Sequence, residues 1–541
     1  MNCSRQKTLT LFLVAALLFA TIFGCTSRGT PGEQQIEHGD LIDLEVWASE
    51  PLPALAIDQV AWDGRLTLAY VAGDTLNPYT TQSRDNLSVT GLLYEGLYAL
   101  GANFTAIPML IDELSTEDGQ NFTVRIREGI FFHNGVELTV DDVLYSLDRA
   151  RQSPNFAARL SSIAASNHVI DEDGEISTLE FTLALNREHG NLPVLLTFPI
   201  IQRQTSDWTI PPGTGPFAHP ADGGTSRLIA FNNHWHEGEL PVQTIHLTQA
   251  QTAEQLAAQF DAGRLNIVGV DMVGSGMPRL SGSRDLRHYE TSMMDYLGFN
   301  LQNDELSTEV RQAISAVIDR GHIANHIMQG AMTATALPIH PALSAYDHAL
   351  SAEHAYTLGR ALAILHGYDE DELDATDDDE DEDEPAPFPL RLLVSADNAM
   401  RMETVLYIAE QINTLGFIVT IDERPHERYL EALAMGDFDL FYAQVRLLPD
   451  FDLSELLFGS LALGGTDRLI DRAYVDDFLA SGMDNRAAMA TAMCEAFLEE
   501  MPFVVIGFRK LTIVSQRGLI AGLRPTQDNL YAGVFDWQVG A

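Results

Sequence analysis

Of the three cysteines in 541 residues, only Cys494 lies beyond position 25. Cys3 precedes, and Cys25 closely follows, a stretch of fifteen mostly apolar residues from Leu9 to Phe23 that comes after Arg5 and Lys7. About 20 apolar residues are needed to span a bilayer, so this stretch is short for an anchor and suited to a secretory leader. Removal of residues 1–24 takes Cys3 away. The chain is therefore expected to be exported with two cysteines, Cys25 and Cys494. An apolar content of 46% over this length suits two or three domains with sizeable interiors.

The ending Ile22-Phe23-Gly24-Cys25 resembles the lipobox of bacterial lipoproteins, which implies that Cys25 carries lipid and begins the mature chain. Membrane attachment is then through lipid at Cys25, and residues 25–60, rich in Gly, Pro and scattered acids, read as a tether. With Cys25 taken up by lipid, Cys494 stands alone, so the exported chain is expected to lack an intramolecular disulfide and its fold has to rest on packed cores. A formal charge of −45 repels nucleic acid and excludes it as a partner. Between Asp369 and Glu384, thirteen of sixteen residues are acidic. Such a run repels itself and buries no apolar surface, so 369–384 reads as a disordered surface loop; it lacks the spaced Asp/Asn and Gly of a calcium loop.

Residues Leu66 to Ala72 alternate like a strand and run into Gly73-Asp-Thr-Leu-Asn-Pro78, a turn-rich loop where a ligand can meet backbone. Phe122 to Ile126 alternates again. Thr139 and Asp142 have capping-box spacing ahead of an apolar face made by Val143, Leu144, Leu147 and Ala150, which predicts a helix from Thr139. Helices over 252–260 and 401–414 precede strands at 265–268 and 417–421, with Gly263 and Gly416 placed for left-handed caps. Repeated helix–strand units of this length predict an α/β fold with mixed sheets.

The segment Phe132-His-Asn-Gly-Val-Glu-Leu-Thr-Val-Asp-Asp-Val-Leu-Tyr-Ser-Leu147 resembles the signature of the extracellular solute-binding proteins that serve peptide and nickel ABC transporters. Further stretches agree in order: Asp74 to Pro78, Gly213-Thr-Gly-Pro-Phe217, Tyr296-Leu-Gly-Phe-Asn300 with Val310 to Ile314 and Ile318-Asp-Arg320, and Gly436-Asp-Phe-Asp-Leu440. The resemblance covers roughly residues 66–535. It implies a two-lobed, periplasmic-binding-protein-like (type II) α/β fold with an extra subdomain inserted in lobe one. By analogy, lobe one is 61–85, 207–300 and 503–541, the insert is 86–206, and lobe two is 301–502. It also implies a monomer, anchored outside the cytoplasm or periplasmic, that captures an oligopeptide between its lobes. The peptide passes to permease subunits driven by cytoplasmic ATPases. Nickel or another chelated metal is the second ligand class, and a peptide-signal sensor is a further use of the same fold.

Members of this family hold extended peptides through backbone groups and a few charges, which requires donors and acceptors on facing lobes. The resemblance therefore points to Asp74 and Asn77 in the loop Gly73 to Tyr79, to Asn300, and to Tyr442, Gln444, Arg446 and Asp450. Enteric peptide binders place an aspartate near Leu448 or Pro449 to hold the peptide's amino terminus. Here Asp450 or Asp452 substitutes only through a small shift, and Arg446 offers a carboxylate partner instead. His234-Trp235-His236-Glu237 has metal-ligand residue types but sits among turn residues, and His322 and His326 read as one helix face, so no metal and no cofactor is expected. An extracellular hydrolase is the competing class; Gly-x-Ser-x-Gly and His-Glu-x-x-His are absent, as is the phosphate loop of an ATPase.

Overall fold

Two long strands, Arg284–Phe299 and Phe503–Gln516, run antiparallel through the middle of an eleven-stranded sheet, paired from Arg284 with Gln516 to Gly298 with Phe503. The second is mostly apolar and buried on both faces, which is what a central strand covered on each side requires. The computed structural model describes residues 64–540 apart from 171–173, 221, 225, 275–279 and 367–387. The leader, Cys25, the 25–60 tether and the acidic run lie outside these residues.

The two long strands belong to both halves of the sheet. On one flank Ile267–Val270 pairs with Phe503–Gln516, followed by Leu66–Tyr70, Thr244–Gln249, Arg227–Ala230 and Phe217–Ala218. On the other flank Leu440–Arg446 pairs with the end of Arg284–Phe299, followed by Phe388–Ser395 and Phe417–Arg424. Between Glu290 and Met294 the register of the long pair shifts. There Thr291 Oγ1 donates to the Arg509 carbonyl at 2.6 Å, and Ser292 N donates to Gln527 Oε1 at 2.8 Å. A bulge of this kind bends and twists a strand, and it stands where the chain passes from one half to the other.

A separate four-stranded antiparallel sheet, in the order Ile111–Thr116, Asn121–Ile126, Ile176–Leu185, Ile163–Ile170, carries the helix Val140–Ala150 on one face. The helix begins as its sequence predicts. Asp142 Oδ2 accepts from Thr139 N at 3.0 Å and from Thr139 Oγ1 at 2.8 Å, while Oδ1 accepts from Arg203 N at 2.8 Å. Gly263 and Gly416 adopt φ of 68° and 88°, as left-handed caps. The strand expected at 265–268 forms instead at Ile267–Val270. Asn266 exchanges hydrogen bonds with Thr67 through its side chain at 2.6 Å and its backbone N–H at 3.0 Å, which delays the ladder by two residues. Among the described residues no helix is long and apolar enough to cross a membrane.

Candidate functional site

The parallel strands Leu66–Tyr70, Thr244–Gln249 and Ile267–Val270 direct their carboxyl ends into a cavity of about 730 Å³, bounded by the loops 71–74, 82–85, 250–253 and 269–271. This is where open α/β sheets place ligands, because strand ends leave backbone groups unpaired beside the first turns of the following helices. The amides of Ala72 and Gly73 donate to no described residue. The loop itself is rigidly held. Asn86 accepts from Val71 N at 2.7 Å and donates to the Val71 and Thr75 carbonyls at 3.0 and 3.1 Å.

Asp74 borders the cavity, yet its carboxylate is engaged by its own loop, accepting from Thr75 N, Thr81 Oγ1, Gln82 N and Ser83 N at 2.7–3.0 Å. Burial pushes its carboxyl up, but these hydrogen bonds outweigh burial and hold it below its usual value. Asn77 is buried and spends its amide on the Ser206 and Trp208 carbonyls and on Tyr79 N. Asn300 caps the far end of its strand, donating to the Gly436 and Phe438 carbonyls at 3.2 and 2.9 Å.

Tyr442 and Gln444 converge on Asp295. Tyr442 Oη donates to Asp295 Oδ2 at 2.8 Å, Gln444 Nε2 to Oδ1 at 2.7 Å, and Arg509 Nε to Oδ2 at 2.9 Å. Asp295, Arg509 and Tyr442 are buried, so this is a neutralised polar knot inside the sheet. Asp450 is likewise buried and accepts from His189 Nε2 at 3.0 Å. Thus Asn77, Asn300, Tyr442 and Asp450, which the sequence aimed at a ligand, have side chains committed to partners within the fold.

Arg446 is differently placed. It ends the strand Leu440–Arg446 opposite Met293, keeps an exposed side chain, and lies within Coulombic reach of Asp528, Arg84, Arg159 and Tyr289. Burial of its charge by the surrounding walls, with repulsion from Arg84 and Arg159, lowers its pKa, and Asp528 offsets this only in part. Asp528 is bound by Arg159, with Nη2 to Oδ1 at 2.9 Å. Burial raises the Asp528 carboxyl, but Arg159 outweighs burial and keeps it low. Arg84, on the cavity wall, donates from Nη2 to Tyr289 Oη at 3.2 Å. Arg84, Asn86 and Tyr289 were not singled out by sequence reasoning; Tyr289 reaches Arg84 across 205 positions, and no local pattern marks such a pair.

The histidine motifs make contacts within the fold. His234 Nε2 and Trp235 Nε1 both donate to Glu95, at 3.0 and 2.9 Å, and His236 packs on Phe535 with the two rings tilted by 30°. His322 stacks on His326 and Tyr407. Among the described residues no group of three His, Cys, Asp or Glu side chains converges as a metal site.

A cavity at the ends of these parallel strands, with polar groups facing it, can accept a solute. Residues 105–452 match the family model of bacterial extracellular solute-binding proteins, family 5 Middle. The oligopeptide-binding protein AppA of Bacillus subtilis (strain 168) is 23% identical over 287 residues, covering 49% of this chain and 52% of AppA. The chain thus spans about half the length of the curated relatives it matches. Among solved structures, HbpA2 from Haemophilus parasuis superposes with a TM-score of 0.69 at 19% identity, covering 88% of this chain and 100% of that one. NikA from Staphylococcus aureus, in complex with Ni(L-His)2, superposes with a TM-score of 0.57 at 13% identity, with the same coverage. The fold is the two-lobed type II arrangement of substrate-binding proteins, and the chain belongs to the bacterial extracellular solute-binding proteins of family 5.

Proposed function

We propose that this chain is the substrate-binding component of an ABC importer, held to the outer face of a membrane by lipid on Cys25. It captures oligopeptides in the cleft between its lobes and delivers them, as a monomer and without hydrolysing them, to permease subunits driven by cytoplasmic ATPases. In this reading lobe one is 61–85, 207–300 and 503–541, lobe two is 301–502, and 86–206 is the insert. The observation that carries it is the cavity of about 730 Å³ on the lobe-one side, whose wall combines Gly73, whose amide donates to no described residue, with the charged side chains of Asp74, Arg84, Asp85 and Asp271. Backbone donors suit an extended peptide of varied sequence, and a few charges fix its direction. AppA, the relative named above, is an oligopeptide-binding protein, which agrees with this ligand class. A ligand that touches both lobes stabilises the closed state only by its differential affinity for it, and release to the permease reverses that bias.

Native mass spectrometry of the complete chain, purified in mild detergent without denaturation, tests the ligand. A co-purified peptide ladder supports the reading. A nickel ion or metal chelate overturns the peptide assignment in favour of the ligand class seen in NikA. Flanking permease and ATPase genes separate an importer from a peptide-signal sensor.

A further inference from the structure

The insert also meets lobe two along a seam, none of whose residues lines the cavity wall. His189 Nε2 lies 3.0 Å from Asp450 Oδ2 with both side chains buried, Arg187 pairs with Asp452, and Gly190 N donates to the Leu479 carbonyl at 2.8 Å. Gly190 sits so close to Ser481 that a Cβ there would lie 2.0 Å from the Ser481 carbonyl oxygen. Phe104 and Phe451, also buried, meet edge to face with ring centres 5.0 Å apart, and the Phe104 ring lies 5.0 Å from that of His340. Each of these contacts is between groups of the protein itself, so no ligand atom is needed to complete it.

On its other side the insert is fixed to lobe one. Ser153 Oγ donates to the Tyr79 carbonyl at 2.8 Å, Gly215 N to the Leu93 carbonyl at 3.0 Å, and Arg159 Nη2 to Asp528 Oδ1 at 2.9 Å. The seam with lobe two therefore has to part whenever the lobes separate. Ion pairs at the rim add little, and His189 and Asp450 regain water once exposed, so the polar contacts set the fit of the seam rather than its strength. The strength lies in two buried phenyl rings and in a backbone packed on a glycine with no room for a methyl group. Phe104 and Phe451 both have φ of 61°, a left-handed conformation that a bulky residue adopts only at a cost, and both rings end in the seam.

Resting on the lobe assignment above, we propose that this seam is an autoinhibitory clasp: it holds the lobes together in the empty receptor and has to open before a solute enters. A clasp made only of protein groups strengthens the closed state with or without ligand, and this gives it a kinetic signature. When it is weakened, more of the empty receptor is open, so entry accelerates, and release accelerates as well. A closure built only around the ligand accelerates release alone when it is weakened.

The first test needs no ligand. The complete chain in detergent is stripped by reversible unfolding in urea, native mass spectra check that it is empty, and amide hydrogen exchange is then followed by mass spectrometry. Segment 187–191, whose Gly190 N–H has its acceptor across the seam, is expected to exchange about tenfold or more slowly than an unstructured peptide of the same sequence, as it does when the empty receptor is closed about nine-tenths of the time. Free exchange of this segment in the empty chain overturns the clasp. In Gly190→Ala and Phe104→Leu the protection is expected to fall about fivefold or more. In stopped-flow mixing with a fluorescent pentapeptide mixture, both variants should associate about fivefold faster and dissociate faster still, which a merely structural role would not produce. Faster dissociation with unchanged association also overturns the clasp. Should no peptide bind, the peptide assignment falls, while the exchange of the empty, unsubstituted chain still decides on the clasp even if a variant folds poorly.

Discussion

His189 and Asp450 meet 261 positions apart in the chain, with Nε2 of the imidazole 3.0 Å from Oδ2 of the carboxylate and both side chains buried. Nδ1 of the same ring accepts from Asn191 N at 3.2 Å, which leaves Nε2 to donate to Asp450. Around this contact Arg187 binds Asp452, and Gly190 N donates to the Leu479 carbonyl at 2.8 Å. The segment 187–191 thereby fastens the four-stranded unit to the helical part of the other half.

Removing the acceptor leaves a buried N–H without a partner. Asp450→Ala is expected to cost about 1–3 kcal/mol in urea unfolding, and Asp450→Asn, which retains an acceptor, clearly less. Burial pushes the Asp450 carboxyl up, but the hydrogen bonds it accepts from His189 and from the Asp452 amide outweigh it, so the folded value lies below the unfolded one. The contribution of this group is therefore complete above about pH 4 and fades as pH falls through the lower, folded value. Unfolding curves of the Asn variant should lack that part of the acid dependence.

Gly190 packs directly on the Ser481 backbone, where an added Cβ would lie 2.0 Å from the Ser481 carbonyl oxygen. Gly190→Ala must push the two surfaces apart, at a cost of roughly 1–3 kcal/mol. If this seam forms when the lobes close, the variant binds peptide about five- to a hundredfold more weakly, mainly through faster dissociation in stopped-flow displacement. Unchanged dissociation would show that the seam plays no part in closure.

Asp295 balances Arg509 in the middle of the sheet. Asp295→Ala is expected to cost about 3–5 kcal/mol, because it strands a buried guanidinium. The double variant Asp295→Ala with Arg509→Met should be more stable than Asp295→Ala alone, and a double-mutant cycle by thermal unfolding measures the coupling.

Asp142 serves two partners at once, the capping-box Thr139 and the Arg203 amide. Thr139→Ala should lower stability by about 1 kcal/mol, the usual value of a lost cap. Asp142→Ala should lower it by more, since Arg203 N also loses its acceptor inside the protein. Thermal unfolding of the pair checks the order.

Much of the local architecture was readable before any coordinates. The cap at Thr139 and Asp142 and the glycines at 263 and 416 depend on residues only a few positions apart, so their spacing reports the structure directly. The ordered motifs from Asp74 to Leu440 carried the family and hence the two-lobed arrangement. The candidate site was less legible. Asp74 borders the cavity and Arg446 keeps an exposed side chain, while Asn77, Asn300, Tyr442 and Asp450 turn to partners inside the protein.

The sequence by itself determined where helices start and stop, that no disulfide joins the body of the protein, and which family shares its pattern. Only the tertiary structure decided which polar side chains are satisfied and which stay open. Asp295 finds Arg509 across 214 positions and His189 finds Asp450 across 261. The physical reason is that backbone propensity acts within a turn or two of chain, whereas the pairing of a buried charge depends on whatever the fold brings within about 4 Å of it.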